Sequence, residues 1–270
     1  MPLCSVLCPS EKFLPAAFLR KVFLYFLFLT VITLTCLQVV RAGDDNYREI
    51  FGPNWEKAEK FLAVNKIWID SSLKANHLNF DFTVAVVFPE LIRYSAVRDR
   101  IEITLLKALY VQYGDEYADF SVGVFQMKPS CAEKVLEGIA DLKNKKLSGL
   151  FKTSSDLHAD RERRSLIVRD MENPETQFLY VIAMLKLLDK KFRNKTWGYD
   201  RKTGTMNKLT FYATAYNCGF FNDEDYIMKQ SVKKSFHTGL VNTKTKYIYS
   251  DISRYFYKTS GKEYPLPLLP

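Results

Sequence analysis

Residue types that mark a cofactor or metal site are sparse in this chain. Its three histidines, His77, His158 and His237, lie far apart and without ligand spacing, so no metal is expected. No Gly-rich phosphate loop and no arginine/lysine helix face occurs, so nothing supports a specific nucleic-acid reading. No cofactor is expected. Internal repeats and low-complexity blocks are also missing. Cysteine is scarce and uneven, since Cys4, Cys8 and Cys36 precede the main body of the chain and only Cys131 and Cys218 remain for it. An oxidising compartment permits one disulfide between those two; two small buried residues that never meet is the other reading.

What is present is apolar mass. With 270 residues, 47% hydrophobic and 14% aromatic, the chain can bury the core of one large domain or two small ones. Its formal charge is +9, of which Lys12, Arg20, Lys21 and Arg41 against Glu11 account for +3. The same basic residues precede the apolar run Val22 to Val40, which ends at Val40-Arg41-Ala42. Residues 1–42 therefore read as an export signal cut after Ala42, or as an N-terminal anchor that gives membrane association. Either way the remainder is expected outside the cytoplasm, in the periplasm or cell envelope.

Residues 43–78, with Trp55, Phe61 and Trp68, read as an N-terminal extension packed on the core. Phe80 to Ser95 is expected to be helical despite Pro89, although Val84, Val86, Val87 and Phe88 would equally suit a buried strand, and within its apolar sequence stands one carboxylate, Glu90. Two readings compete for it. Glu90 follows Pro89 and could sit near a helix start, where negative charge suits the macrodipole; or its apolar neighbours keep it protonated as a proton donor. Asp99 to Gly114 follows as an amphipathic helix ended by glycine.

Asp119 to Ser130 is read as a loop leading into a helix, with Ser130 and Glu133 spaced as a capping box. Lys143 through Arg164 reads as charged surface. Asn173-Pro174-Glu175 opens a helix that is apolar around most of its circumference, as expected of a buried one. Leu209 to Gly219 is a short helix ending in Ala215-Tyr216-Asn217-Cys218-Gly219, a last helix falls in the tyrosine-rich Thr243 to Tyr257, and 261–270 is a loosely ordered tail.

In this order, a glutamate in an apolar helix, Gly123-Val124-Phe125-Gln126-Met127-Lys128-Pro129-Ser130-Cys131-Ala132, Asn173-Pro174-Glu175 and Ala215-Tyr216-Asn217-Cys218-Gly219 resemble the catalytic domain of soluble lytic transglycosylases and goose-type lysozymes. Thr245-Lys246-Tyr247 is similar to that family's closing segment, and the resemblance spans 79–260. Leu91 stands where the family has serine, and Phe120-Ser121 where it has Gly-Ala.

The resemblance implies a mainly α, lysozyme-like domain with at most a small β element near the loop before Gly123, and a cleft between the Glu90 helix and the Tyr216 segment. It implies cleavage of the MurNAc-GlcNAc bond of peptidoglycan glycan strands, with Glu90 as the single acid/base and 1,6-anhydro-muramyl ends as product. Gly123, Gln126, Met127, Tyr216 and Asn217 would bind or orient the sugar. A hydrolytic muramidase, with Asp115, Glu116 or Asp119 as second carboxylate, and a catalytically silent wall-binding scaffold are the alternatives. Protein partners are not indicated.

Overall fold

The computed structural model describes residues 45–94, 108–141, 160–195, 206–238 and 245–260, with 104, 149, 151 and 197 besides. The leader-like segment 1–42, His158 and the tail 261–270 lie outside the described residues. The compact unit that carries the site is Tyr47–Pro270. Among the described residues, no helix is long and apolar enough to cross a membrane.

The fold is mainly helical with one small antiparallel sheet. In chain order come α1 (Tyr47–Phe51), α2 (Pro53–Ala75), α3 (Phe80–Arg93), α4 (Pro129–Asp141), α5 (Asp160–Glu172), α6 (Pro174–Lys191), α7 (Met206–Cys218), α8 (Glu224–Gln230), β1 (Lys234–Phe236), β2 (Tyr247–Ile248) and α9 (Tyr249–Ser260). Helix α3 packs on α2, α7 and α9, while α4, α5 and α6 pack on one another and α2 touches both groups through α3 and α6.

Local sequence explains why α3 forms. Asn79 accepts a hydrogen bond from Phe82 N at 2.8 Å, a cap of about 1 kcal/mol, and Thr83 through Ile92 are all buried. A helix apolar on every side has to lie inside the protein. Trp55 of α2 meets the Phe88 ring edge-on at 4.6 Å, and Phe256 of α9 stacks on Phe88 at 3.7 Å. The segment expected as an extension is thus the long helix α2, with Trp55, Leu62, Ile69 and Leu73 in the same core as α3.

Pro89 sits inside α3, where it cannot donate to the carbonyl of Ala85 and its ring crowds the preceding turn. One carbonyl of that turn, Val86 O, accepts a hydrogen bond from the Tyr249 hydroxyl of α9 at 3.1 Å. The helix continues past the proline and places Glu90 in its last turn. The helix-start reading of Glu90 is therefore overturned: the negative end of the macrodipole lies here, and a carboxylate needs positive charge from elsewhere.

Two further expectations need correction. Ser130 and Glu133 form no capping box, because α4 begins at Pro129 and both groups have tertiary partners. Ser130 N donates to Asp119 Oδ1 at 3.2 Å, and Glu133 Oε1 accepts from the Tyr110 hydroxyl at 2.7 Å. The small sheet is also elsewhere than expected: β1 and β2 pair antiparallel, Lys234 with Ile248 and Phe236 with Tyr247, whereas the Gly123 loop holds only an isolated bridge between Val122 and Met127. Asp160 to Arg164, read as charged surface, is the start of α5, with Asp160, Arg161 and Glu162 exposed; Arg164 donates to Val111 O at 3.2 Å.

Asn173 caps α6 as its sequence suggests, accepting from Glu175 N at 2.9 Å and Thr176 N at 3.0 Å. The helix it opens is buried from Gln177 through Leu188 on most of its surface. The described part of the preceding amphipathic segment, 108–113, is helical and ends at Gly114.

Candidate active site

A cavity of about 300 Å³ opens between α3, α7, the start of α4 and the loop before it. Glu90 and Arg93 line it from α3; Tyr216, Asn217, Cys218 and Gly219 from the end of α7; Gln126 and Met127 from the loop; Ser130 and Cys131 from α4. Three stretches far apart in sequence therefore meet on one surface. Gly123 does not line it.

Gly123 instead sets the shape of the loop. Its φ of +70° is one that side chains rarely adopt, and a Cβ there would lie 2.4 Å from Met171 O and 2.5 Å from Gln177 Oε1. Gln177, fully buried on α6, clamps the loop by donating from Nε2 to Val122 O at 2.6 Å and accepting from Phe125 N at 3.1 Å. Gln126 completes the turn with φ +48°, a left-handed conformation that costs a non-glycine residue energy, and its Nε2 donates to Gly123 O at 2.8 Å. Buried polar groups of this loop are satisfied by α6 and by the loop itself, so its backbone can run through the interior.

The Tyr216 hydroxyl donates to Phe125 O at 2.6 Å and so ties α7 to the same loop. Burial, with the negative charge of Glu90 next in weight, raises its phenol well above the usual range. Tyr249 is raised in the same way by burial and by the nearby charge of Glu90, while its hydroxyl donates to Val86 O. Both phenols stay neutral beside one carboxylate, and both commit their protons to backbone carbonyls. Lys191 donates to Asn222 O at 2.6 Å and steadies the turn after α7, where Phe221 reaches the cavity rim half-exposed.

Glu90 itself is 2% exposed. Its Oε2 lies 2.6 Å from the Arg93 guanidinium, three residues on in the same helix, whose side chain is 20% exposed and whose other face covers the Phe236 ring at 5.6 Å. Burial alone would favour a neutral carboxyl, as the apolar sequence around Glu90 suggests, but the adjacent guanidinium favours the anion. A second charged pair lines the same cavity: Lys128 lies 3.1 Å from Asp119, which also caps α4.

Cys131 and Cys218 both line the cavity as free thiols, so the disulfide reading is not realised. Burial pushes the Cys131 thiol up to about 12, with Asp119 adding to it, and burial pushes Cys218 to about 11. Neither is an activated nucleophile at neutral pH. Among the described residues, no group of histidine, cysteine, aspartate and glutamate could hold a metal ion.

No protein-family model, curated protein or solved structure matches the chain. The site must be argued from its own geometry. Of the residues singled out from sequence, Glu90, Gln126, Met127, Tyr216 and Asn217 share the cavity, and Gly123 stands behind it. Sequence reasoning missed Arg93, Tyr249 and Gln177. Arg93 carried a usable signal, the three-residue spacing from Glu90 on a helix; Gln177 was a polar residue in an apolar helix; Tyr249 had none, being 163 residues away from Val86.

Proposed function

We propose that the protein is a peptidoglycan lytic transglycosylase that cleaves the MurNAc-GlcNAc β-1,4 bond with Glu90 as its only acid/base. The observation that supports this reading is the convergence of Glu90, Gln126 with Met127, and Tyr216 with Asn217 on one cavity of about 300 Å³. A buried carboxyl at the wall of a polar-rimmed cavity is a candidate proton donor. In the proposed reaction Glu90 gives its proton to the leaving glycosidic oxygen as the bond to the muramyl anomeric carbon breaks. The resulting carboxylate takes the proton of the muramyl 6-hydroxyl, whose oxygen closes on that carbon to give the 1,6-anhydro sugar. Gln126 and Asn217 supply amide groups for sugar hydrogen bonds, and Tyr216 holds the loop that carries Gln126. A wall-located substrate also suits the leader-like residues 1–42.

Two observations favour other readings. Asp119 brings a second carboxylate to the cavity, as a hydrolytic muramidase would need, but it is engaged by Lys128 and Ser130 N. The Glu90–Arg93 ion pair suits a silent wall-binding protein, in which the carboxyl never carries a proton. Incubating purified peptidoglycan with the protein and analysing soluble products by mass spectrometry separates the three. Anhydro-muramyl ends support the proposal, reducing muramyl ends point to hydrolysis, and wall binding with no product identifies the scaffold.

A further inference from the structure

Beside the cavity lies a second depression of about 330 Å³, formed by α4, the end of α6 and the turn after α7. Its base depends on a glycine where two helices meet: a Cβ on Gly138 of α4 would lie 2.9 Å from Leu187 Cδ1 of α6, so a residue without one suits this close approach. Leu187 and Phe220 make the groove apolar, and Lys190 and Lys191 complete its lining with Phe221.

Phe221 lines this groove and the cavity alike. It is 50% exposed, yet its place is fixed. Gly219, at φ +102°, leaves room for the Phe221 ring, which an added Cβ would meet at 2.9 Å. Asn222 Nδ2 donates to Cys218 O at 2.8 Å and Gly219 O at 3.0 Å, and Lys191 Nζ donates to Phe221 O at 3.2 Å and to Asn222 O. An aromatic ring held in solvent has already lost freedom without gaining burial, so a ligand that covers it gains the burial with little further ordering.

Charge in the groove has one sign. Lys191 is committed to the turn carbonyls, whereas the Lys190 ammonium is exposed and has no partner among the described residues. The acidic residues next to the lining in sequence are engaged by other cations: Glu137 lies 2.8 Å from Lys134, and Asp189 lies 2.8 Å from Lys208. An apolar trough with an unpaired ammonium fits a chain of small apolar side chains that also carries carboxylates.

We infer that this groove seats the stem peptide of the glycan strand whose sugar occupies the cavity. In peptidoglycan the lactyl arm of the muramyl sugar is amide-linked to a short peptide of alanines and acidic residues, so a sugar that enters the cavity brings such a chain with it. Phe221 is the ridge the ligand crosses, with sugar on one side and peptide on the other. Alanine methyls rest on Leu187 and Phe220, and Lys190 pairs with a free carboxylate of the stem. Lys190 and Phe221 thereby select peptide-bearing strands over denuded ones.

This inference rests on the proposed function for its ligand, but its test needs no turnover. A GlcNAc-MurNAc disaccharide carrying a tetrapeptide stem has no MurNAc-GlcNAc bond to cleave, and the same disaccharide with its lactyl carboxyl capped as the methylamide offers the sugars alone. Isothermal titration of the whole protein should show about tenfold tighter binding of the stem-bearing ligand, and Lys190→Glu should cut that ratio to about threefold or less. Equal affinities in the wild type overturn the inference, as does an undiminished ratio in a folded Lys190→Glu variant. If that variant does not fold, the wild-type comparison decides. Sedimentation of the wild type as a dimer that Phe221→Ser dissociates would assign the groove to a second copy of the chain and also overturn it. A stem preference with peptidoglycan left uncut would sink the proposed activity and leave this inference standing; anhydro-muramyl products without a stem preference would do the reverse.

Discussion

Replacing Gly123 by alanine tests whether this residue shapes the loop rather than touching substrate. At φ +70° an alanine costs about 1–2 kcal/mol of backbone strain. Its Cβ would also meet Met171 O at 2.4 Å and Gln177 Oε1 at 2.5 Å, distances at which something must move. One of those atoms is backbone at the end of α5, and the other belongs to the clamp on Val122 and Phe125, so the overlap adds about 1–3 kcal/mol. The total is about 2–5 kcal/mol. Gly114 is the internal control: its φ is +91°, but among the described residues an added Cβ would find only the end of the Arg164 side chain at 3.5 Å. Gly114→Ala should therefore lose about 1–2 kcal/mol from strain alone. Urea unfolding of the two variants and the wild type, followed by far-ultraviolet circular dichroism, measures the difference. Equal losses for both would refute the clash argument, and an undiminished stability in Gly123→Ala would refute the loop geometry as well.

Gln177→Leu keeps the volume of the clamp but leaves Val122 O and Phe125 N without their buried partner; a loss of about 2–5 kcal/mol is expected in urea unfolding, and a loss below about 1 kcal/mol would show that the loop repairs itself. Tyr249→Phe removes the donor to Val86 O beside Pro89, with an expected cost of about 1–2 kcal/mol by thermal unfolding; an unchanged melting temperature would contradict that hydrogen bond. The Cys131 thiol keeps its proton in the folded state up to about 12, against an ordinary 9.0, so the stability it contributes is fully present below 9.0 and is lost as the pH rises towards about 12. The stability difference between wild type and Cys131→Ala, taken from unfolding curves across that range, should shift against the wild type as pH rises; a constant difference would refute the burial of the thiol.

Features of the fold that depend on a few adjacent residues were legible in the sequence. Asn173 before Pro174 is a cap whose donors are two and three residues away, and the apolar circumference of α6 follows from its own composition. The Ser130–Glu133 pattern was equally clear and did not form a capping box, because Asp119 and Tyr110 offered both groups partners from outside the helix. Tertiary hydrogen bonds overrode the local one.

The site shows the same division. Glu90 stood out because a carboxylate in an apolar helix must be compensated, and its helix and burial follow from the residues around it. Its charge partner was legible, since Arg93 lies at a spacing that pairs side chains on a helix, whereas the neighbouring phenol of Tyr249 arrives from α9 at the far end of the chain. Gly123 was read as substrate-binding by resemblance, and only the close approach of Met171 and Gln177 shows that it shapes the loop instead.

The central claim is that Glu90 moves the proton in cleavage of the glycan strand. Mass spectrometry of peptidoglycan digested by the wild type and by Glu90→Gln tests it most directly, with folding of the variant checked by its melting curve. The account predicts 1,6-anhydro-muramyl products from the wild type and a fall of about 10²-fold or more in Glu90→Gln. Equal yields of those products from a folded Glu90→Gln variant would contradict it.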